Sequence, residues 1–345
     1  MTNQEIVRFG LVGAGAIATT HMDAIEKYPG TVLVAIADVN PQTAKEVGEA
    51  RGAASYTDHA EMIKAGGLDA VIVCTPPTTH RDICLDFFAA GIHVLCEKPL
   101  SIDSPSAREM LSAADTAGVK FTMASKFRYV DDTTKARNMV RDGLIGELLV
   151  FENCFASPVD MSNRWNANPA VSGGGVLIDN GTHSVDIVHY LLGPIAELEV
   201  IEGKRYQKLP VEDTVTMVMR AESGVVGRVD LSWSHQLQRR GFVNLVGSEG
   251  VIVVGWQASA YCTDGKTWMK FGDGYDKVQS FVNQLDNFAK AIRDEEELLI
   301  TSDDALASVE VIEAAYEALH GKKWQKINYD DQAHQAGAVG YGVAG

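Results

Sequence analysis

IVRFGLVGAGAIA, residues 6–18, is an apolar strand that breaks into glycine and then opens a helix. It matches GxGxxG/A, with Gly13, Gly15 and Ala18 in the three positions. Gly13 allows the tight turn, Gly15 lets the backbone approach a pyrophosphate, and the small Ala18 lets helix and strand pack closely. Ala16 and Ile17 begin the helix, whose free amides and positive dipole end suit that anion. Glycine turns recur in many α/β proteins, so the surroundings carry the argument. The second strand ends in Ala37-Asp38, and Asp38 stands 20 residues beyond Ala18, where a carboxylate accepts hydrogen bonds from an adenosine ribose. The competing reading is a cap for the helix after Asn40-Pro41. Strand, loop, helix and acid in this order favour a bound dinucleotide.

The charge on Asp38 would repel the 2′-phosphate of NADP, and Val39, Asn40, Pro41 and Gln42 follow it, with no lysine before Lys45. The expected cofactor is therefore NAD. A countercharge would have to come from elsewhere, such as Arg51 or Arg81.

Working outward, apolar runs at Ile6–Val12, Thr31–Ala37, Ala70–Cys74, His93–Glu97 and Lys120–Ala124 read as buried strands. Helix-start signals lie between them at Asn40-Pro41, Thr78-Thr79 and Asp103 to Pro105. Residues 1–125 thus read as an α/β, doubly wound parallel sheet, an NAD-binding Rossmann domain. From Lys126 the texture changes. A helix near Asp131–Asp142, a strand at Leu148–Phe155 and a helix from Gly173–Gly175 to about Leu192 precede four or five alternating segments. These are Thr214–Arg220, Val225–Trp233, Phe242–Val246, Val251–Val254 and Ser259–Cys262, followed by helices near Lys277–Arg293 and Asp303–His320. Residues 126–330 are expected to form an α+β domain with a mainly antiparallel open sheet, for substrate binding and oligomerisation. One face of that sheet, bearing Val215, Met217, Met219, Val229 and Leu231 in one of two phases, is expected to pair subunits into a homodimer or homotetramer. Residues 331–345 form a Gly-rich tail whose composition is that of a disordered segment or one ordered against a partner subunit.

Composition narrows the function. The chain has 345 residues, with Lys+Arg 30 against Asp+Glu 46 and a net charge of −16. Such an acidic balance disfavours nucleic acid and anionic membranes as partners. No apolar run nears the ~20 residues that span a bilayer. The first ten residues, MTNQEIVRFG, lack the basic and apolar regions of a secretory signal. The five cysteines are odd in number, scattered, and contain no CxxC pair. A cytoplasmic protein is expected.

Two constellations carry chemistry. Glu97-Lys98-Pro99 ends the fifth strand, and ligands of open parallel sheets collect outside the carboxyl ends of strands. Lys98 there could hold a substrate oxygen and stabilise developing alkoxide charge, with Glu97 fixing the ammonium or touching the nicotinamide ribose. A plain surface ion pair fits these residues equally well. Asp179 and His183 stand four apart on one helix, so both can face one pocket, and Asp186 continues the stripe. A structural Asp–His pair is the competing reading. A metal would need a further close ligand, and only Asp186 has suitable spacing, so no metal is expected. His21 and His80 suit helix ends or packing, with His21 able to edge the pyrophosphate site. Trp165 and Asn166 lie in a long loop and suit stacking and hydrogen bonding to a sugar, or a loop anchor.

On these motifs the chain resembles the glucose-fructose oxidoreductase / inositol dehydrogenase / rhizopine catabolism (Gfo/Idh/MocA) family over nearly its whole length. Glu97-Lys98-Pro99 matches that family's EKP motif. Thr75-Pro76-Pro77-Thr78-Thr79-His80 resembles its T-P-N-x-x-H turn, with Pro77 replacing asparagine, which implies that Thr75, Pro76, Pro77 and His80 lie by the cofactor. Lys126-Phe127-Arg128-Tyr129 falls where relatives carry a basic-aromatic segment near the nicotinamide, which places Lys126 and Arg128 with Trp165 and Asn166 on the substrate side. Asp179 and His183 match the D-x-x-x-H pattern that works beside the EKP lysine, so the resemblance implies catalysis by Lys98, Asp179 and His183. The activity implied is hydride transfer between the nicotinamide of NAD(H) and a secondary carbinol or ketone of a sugar, sugar derivative or cyclitol. The alternatives are an NAD-assisted glycoside hydrolase or eliminase on the same scaffold, and a non-catalytic NAD-sensing protein.

Overall fold

A computed structural model describes residues 6–237 and 239–329. The first sheet holds six strands: β1 (Val7–Val12), β2 (Thr31–Ala37), β3 (Ala54–Tyr56), β4 (Ala70–Val73), β5 (His93–Glu97) and β6 (Phe121–Ala124). They run parallel in the order β3-β2-β1-β4-β5-β6, so the chain reverses its winding between β1 and β4. That reversal opens a crevice at the strands' carboxyl ends. Helices α1 (Ala16–Lys27), α2 (Pro41–Arg51), α3 (His59–Ala65), α4 (His80–Ala89) and α5 (Ser104–Ala117) connect them. Asn40 caps α2 by accepting from Gln42 and Thr43, and Asp103 caps α5 by accepting from Ser106. β3 escapes detection in the sequence because it has three residues at the sheet edge, none of them buried.

The second sheet has nine strands. They are β7 (Leu148–Ala156), β8 (Ile195–Glu202), β9 (Thr214–Ala221), β10 (Val226–Ser232), β11 (Val243–Gly247), β12 (Val251–Val254), β13 (Ser259–Cys262), β14 (Met269–Gly272) and β15 (Gln325–Lys326). Their order is β14-β13-β12-β11-β7-β10-β9-β8-β15, antiparallel except where β7 runs parallel to β10. Helices α6 (Asp131–Arg141), α7 (Pro169–Ser172), α8 (Val176–Leu192), α9 (Lys277–Ile292) and α10 (Ser302–Gly321) complete the chain.

Two differences from the sequence reading matter. Val215, Met217, Met219, Val229 and Leu231 face inward, buried against α8 and α10 in one core. The phase expected to pair subunits is the wrong one. The open face instead carries Val150, Glu152, Val226 and Arg228, with Val218 opposite Arg228 in register. Along β9 Val215, Met217, Met219 and Ala221 form the apolar phase and Thr214, Thr216, Val218 and Arg220 the more polar one, and it is the apolar phase that α8 and α10 cover. The closing helices also cross back over the first domain: Phe281, Leu285 and Phe288 of α9 pack with Phe9 and Ile25, and Leu306 and Val309 of α10 join the core of α4 and α5. The Gly-rich tail and its expected role lie outside the described residues.

Candidate active site

The glycine loop fits a dinucleotide phosphate. Gly13 has φ +89°, and a β-carbon there would strike the Cys74 carbonyl, whereas a β-carbon at Gly15 would meet nothing within 4 Å. No side chain caps the N-terminus of α1, so its amides remain open to an anion. Ala18 is fully buried beneath the loop. Asp38 Oδ2 accepts from Ala14 N at 2.8 Å and its Oδ1 from Asn40 N at 2.9 Å, so this carboxylate also shapes the loop. It does not cap α2, since Asn40 does.

The walls of both domains meet in one cleft of about 1710 Å³, lined by Gly15, Ala16, Ile17, Thr75, Glu97 and Lys98 on one side. Lys126, Trp165, Asn166, Asp179 and His183 line it from the other. The register of β5 delivers Lys98 to the crevice, where its Nζ donates to Asp179 Oδ1 at 2.7 Å and to the Asp179 carbonyl at 2.9 Å. The EKP lysine and the α8 aspartate, 81 residues apart, thus form one ion pair, with side chains 14% and 23% exposed. His183, one turn further along α8, sits edge-on to Phe127 at 5.0 Å. Its Nδ1 is sealed and without a partner, which leaves Nε2 as the ring nitrogen open to the cleft. Burial, reinforced by the charges of Lys98 and Lys126, holds His183 well below the usual histidine range. The imidazole is therefore neutral and able to accept a proton. Lys126 is lowered to about 8, first by burial and then by Lys98.

Burial alone would raise Glu97, but the hydrogen bond from His21 and the charges of Lys98 and Lys126 outweigh it, and the carboxyl sits below its ordinary range. His21 Nε2 lies 2.8 Å from Glu97 Oε1. His21 thus steadies the residue preceding Lys98, a role whose only sequence signal is a histidine on the buried face of α1. Helix α8 has its own anchor. Glu212 Oε1 accepts from Gly175 N at 3.0 Å, Leu177 N at 3.1 Å and Tyr316 Oη at 2.8 Å. This carboxylate on the α8 N-terminus comes from 35 residues downstream of Leu177 and has no local signature.

Two expected contacts are corrected. Arg128 does not line the cleft. It is 2% exposed, donates to Asp186 Oδ1 at 2.6 Å and lies 2.9 Å from Asp304 Oδ2, tying α8 to α10. Asp186 therefore leaves the Asp179–His183 stripe for this buried pair. His80, expected beside the cofactor, is fully buried, with ring nitrogens 2.8 Å from the Thr75 carbonyl and 3.0 Å from that of Pro99. It clamps the two strand-end turns together, with Pro76 and the buried Pro77 turning the chain between Thr75 and that clamp. Among the described residues no cluster of three or more His, Cys, Asp or Glu could hold a metal ion. Trp256 and Trp268, which the sequence reading passed over, add two half-exposed indoles to the cleft beside Trp165.

Residues 7–125 match the model of the oxidoreductase family with an NAD-binding Rossmann fold, and residues 133–253 match the GFO/IDH/MocA C-terminal domain. The chain belongs to the Gfo/Idh/MocA family. Within it, inositol 2-dehydrogenase of Rhizobium meliloti (strain 1021) is 27% identical over 337 residues, covering 92% of this chain and 98% of the relative. A 1,5-anhydro-D-fructose reductase of Ensifer adhaerens is 29% identical over 252 residues, covering 71% of this chain and 75% of the relative. Levoglucosan dehydrogenase, solved with NADH and levoglucosan, superposes with a TM-score of 0.87 at 21% identity, over 94% of this chain and 100% of that one. The Gfo/Idh/MocA oxidoreductase described here therefore pairs an NAD-binding Rossmann domain, with NAD as its cofactor, with the family's C-terminal domain.

Proposed function

We propose that this chain is an NAD(H)-dependent dehydrogenase or reductase acting on a secondary alcohol or ketone of a sugar, sugar derivative or cyclitol. The carrying observation is the Lys98–Asp179 ion pair, set one helical turn from a neutral His183 in the cleft that also holds the uncapped α1 N-terminus. Relatives acting on inositol and on anhydrofructose support the substrate class.

When bound, the nicotinamide supplies the hydride donor or acceptor. His183 takes the hydroxyl proton at Nε2 during oxidation and returns it during reduction. The Lys98 ammonium donates to the same oxygen and stabilises its developing charge. Asp179 fixes that ammonium and orients neighbouring substrate hydroxyls. Thr75 and Glu97 border the cofactor end, while Lys126, Trp165 and Asn166 border the substrate.

We further place the enzyme in the cytoplasm as a homodimer or homotetramer. Its five cysteines are free thiols, and no helix among the described residues is long and apolar enough to cross a membrane. The open sheet face supplies the pairing surface. The deciding experiment is a panel of sugars and cyclitols followed by NADH absorbance in both directions. Net NADH formation or consumption is expected; hydrolysed glycoside without net NADH would replace this reading with the hydrolase.

A further inference from the structure

Arginine pairing is nearly complete in this acidic chain. Of 14 arginines, 11 stand within 4 Å of a carboxylate. Of the three others, Arg137 lies over the Tyr190 ring. The remaining two, Arg164 and Arg240, both line the cleft. With a net charge of −16 there is no shortage of carboxylates to meet them. Their isolation is a local property of the cleft.

The other charged groups there agree. Six Lys or Arg side chains line the cleft against two carboxylates, Glu97 and Asp179. Asp179 is engaged by Lys98 and Glu97 by His21, while Arg239 is held by Asp230. Lys126, Arg164, Arg240 and Lys277 have no carboxylate within 4 Å among the described residues; Asp160 acts on Arg164 only from beyond that distance and its Oδ1 is taken by Ser162. Lys126 makes only ring contacts, 5.2 Å from the Phe127 centroid and 5.9 Å from that of Phe281. The charges of Glu97 and Asp179 reach this half-buried ammonium, but neither makes an ion pair with it, and they do not offset its burial and the repulsion from Lys98.

The cofactor does not supply an anion at the far wall. Its phosphates would meet the open amides of α1 at Gly15 to Ile17, whereas Arg164 and Arg240 come from the β7–α7 and β10–β11 connections of the other domain. Arg240 is also set for its task, its guanidinium stacked 4.3 Å from the Trp268 centroid. Stacking occupies the face of the guanidinium and leaves the N–H edge to meet a planar or tetrahedral oxyanion.

We propose that the sugar or polyol oxidised in this cleft carries an anionic group, a carboxylate or a phosphate, which Arg164 and Arg240 receive while Lys126 and Lys277 add to the attracting field. This inference rests on the oxidoreductase reading above. Uronates, aldonates and sugar phosphates then outrank neutral sugars and cyclitols, and association is steered by charge and weakened by salt.

The test uses the enzyme with NAD+ and compares hexuronates, aldonates and hexose 6-phosphates with their neutral parents, at low salt and at about 0.5 M salt. The best anionic compound is expected to exceed its neutral parent in kcat/KM by on the order of tenfold, an advantage that shrinks with salt. Arg164→Gln and Arg240→Gln should each narrow the ratio several-fold. Whether acids or phosphates lead identifies the group. A neutral parent that equals or beats every anionic partner, with no effect of salt, overturns the proposal. Binding separates this from failure of the enzyme reading: tryptophan fluorescence from Trp165, Trp256 and Trp268 is titrated with the same compounds in the presence of NADH. Tighter anion binding that the arginine variants abolish, without any turnover, sustains the charge assignment and sinks the oxidoreductase. Equal binding of anion and parent sinks the charge assignment.

Discussion

His21 Nε2 stands 2.8 Å from Glu97 Oε1, joining the helix whose uncapped N-terminus opens on the cleft to the strand end that presents Lys98. Both groups are buried, so removing either leaves the other unsatisfied at a cost of about 1–3 kcal/mol. His21→Leu should lower stability by that amount in urea titrations and weaken NAD binding. An unchanged midpoint would show that the pair does not hold the loop.

Chemistry should fail before binding does. Lys98→Ala and His183→Ala are each expected to lower kcat by on the order of 10²-fold or more with little change in NADH affinity, measured by fluorescence titration. Near-native turnover in either variant on a genuine substrate removes that residue from the catalytic assignment.

The pH profile follows from two lowered groups. His183 stays neutral below the ordinary histidine range, so the acid limb of kcat/KM for oxidation should lie beneath it. Lys126, at about 8, is charged below that pH and neutral above it. kcat/KM should therefore decline as pH rises through about 8, and Lys126→Arg, which stays charged, should carry the decline upward. A profile that Lys126→Arg leaves in place assigns the alkaline limb elsewhere.

Cofactor choice is closed off from both sides. Arg51 is held by Asp23 at 2.8 Å and Glu26 at 2.6 Å, and Arg81 by Glu109 at 2.6 Å, so neither is free to meet a 2′-phosphate. NAD should exceed NADP in kcat/KM by roughly five- to a hundredfold, or ~1–3 kcal/mol. Equal values would overturn the role given to Asp38.

Arg128→Met strips the fully buried Asp186 of its countercharge and forces the carboxyl, which burial already raises, to be protonated or left unpaired, which should cost about 3–5 kcal/mol by chemical denaturation. Adding Asp186→Leu to it should restore part of that loss, because an apolar pair tolerates burial. Light scattering is the check on assembly, and a stable monomer near 37.2 kDa at micromolar concentration would remove the role given to the open sheet face.

Local spacing made the cofactor loop, Lys98 and the Asp179–His183 pair legible, since each is a short motif on one element. Arg128 reads as a ligand-binding base because its true partners, Asp186 and Asp304, lie 58 and 176 residues away. Glu212 was invisible for the same reason. Strand β8 was missed because IAELEVIE mixes glutamates into its alternation and carries a register shift between Ile195 and Glu197. Met217 and Met219 were legible as one apolar strand face, but not what covers it, because a strand does not say whether a distant helix or a second subunit will do so.

The return of α9 across the first sheet also governs how the protein is made. Phe9 and Ile25 are sealed by Phe281, Leu285 and Phe288, which leave the ribosome roughly 160 residues after the first domain is synthesised. At bacterial or eukaryotic elongation rates that is on the order of 10–30 s in which a nascent NAD-binding fold displays an apolar face. The nucleotide domain comes first in sequence yet stays unfinished until the C-terminal helices emerge, because α9 and α10 both complete its core.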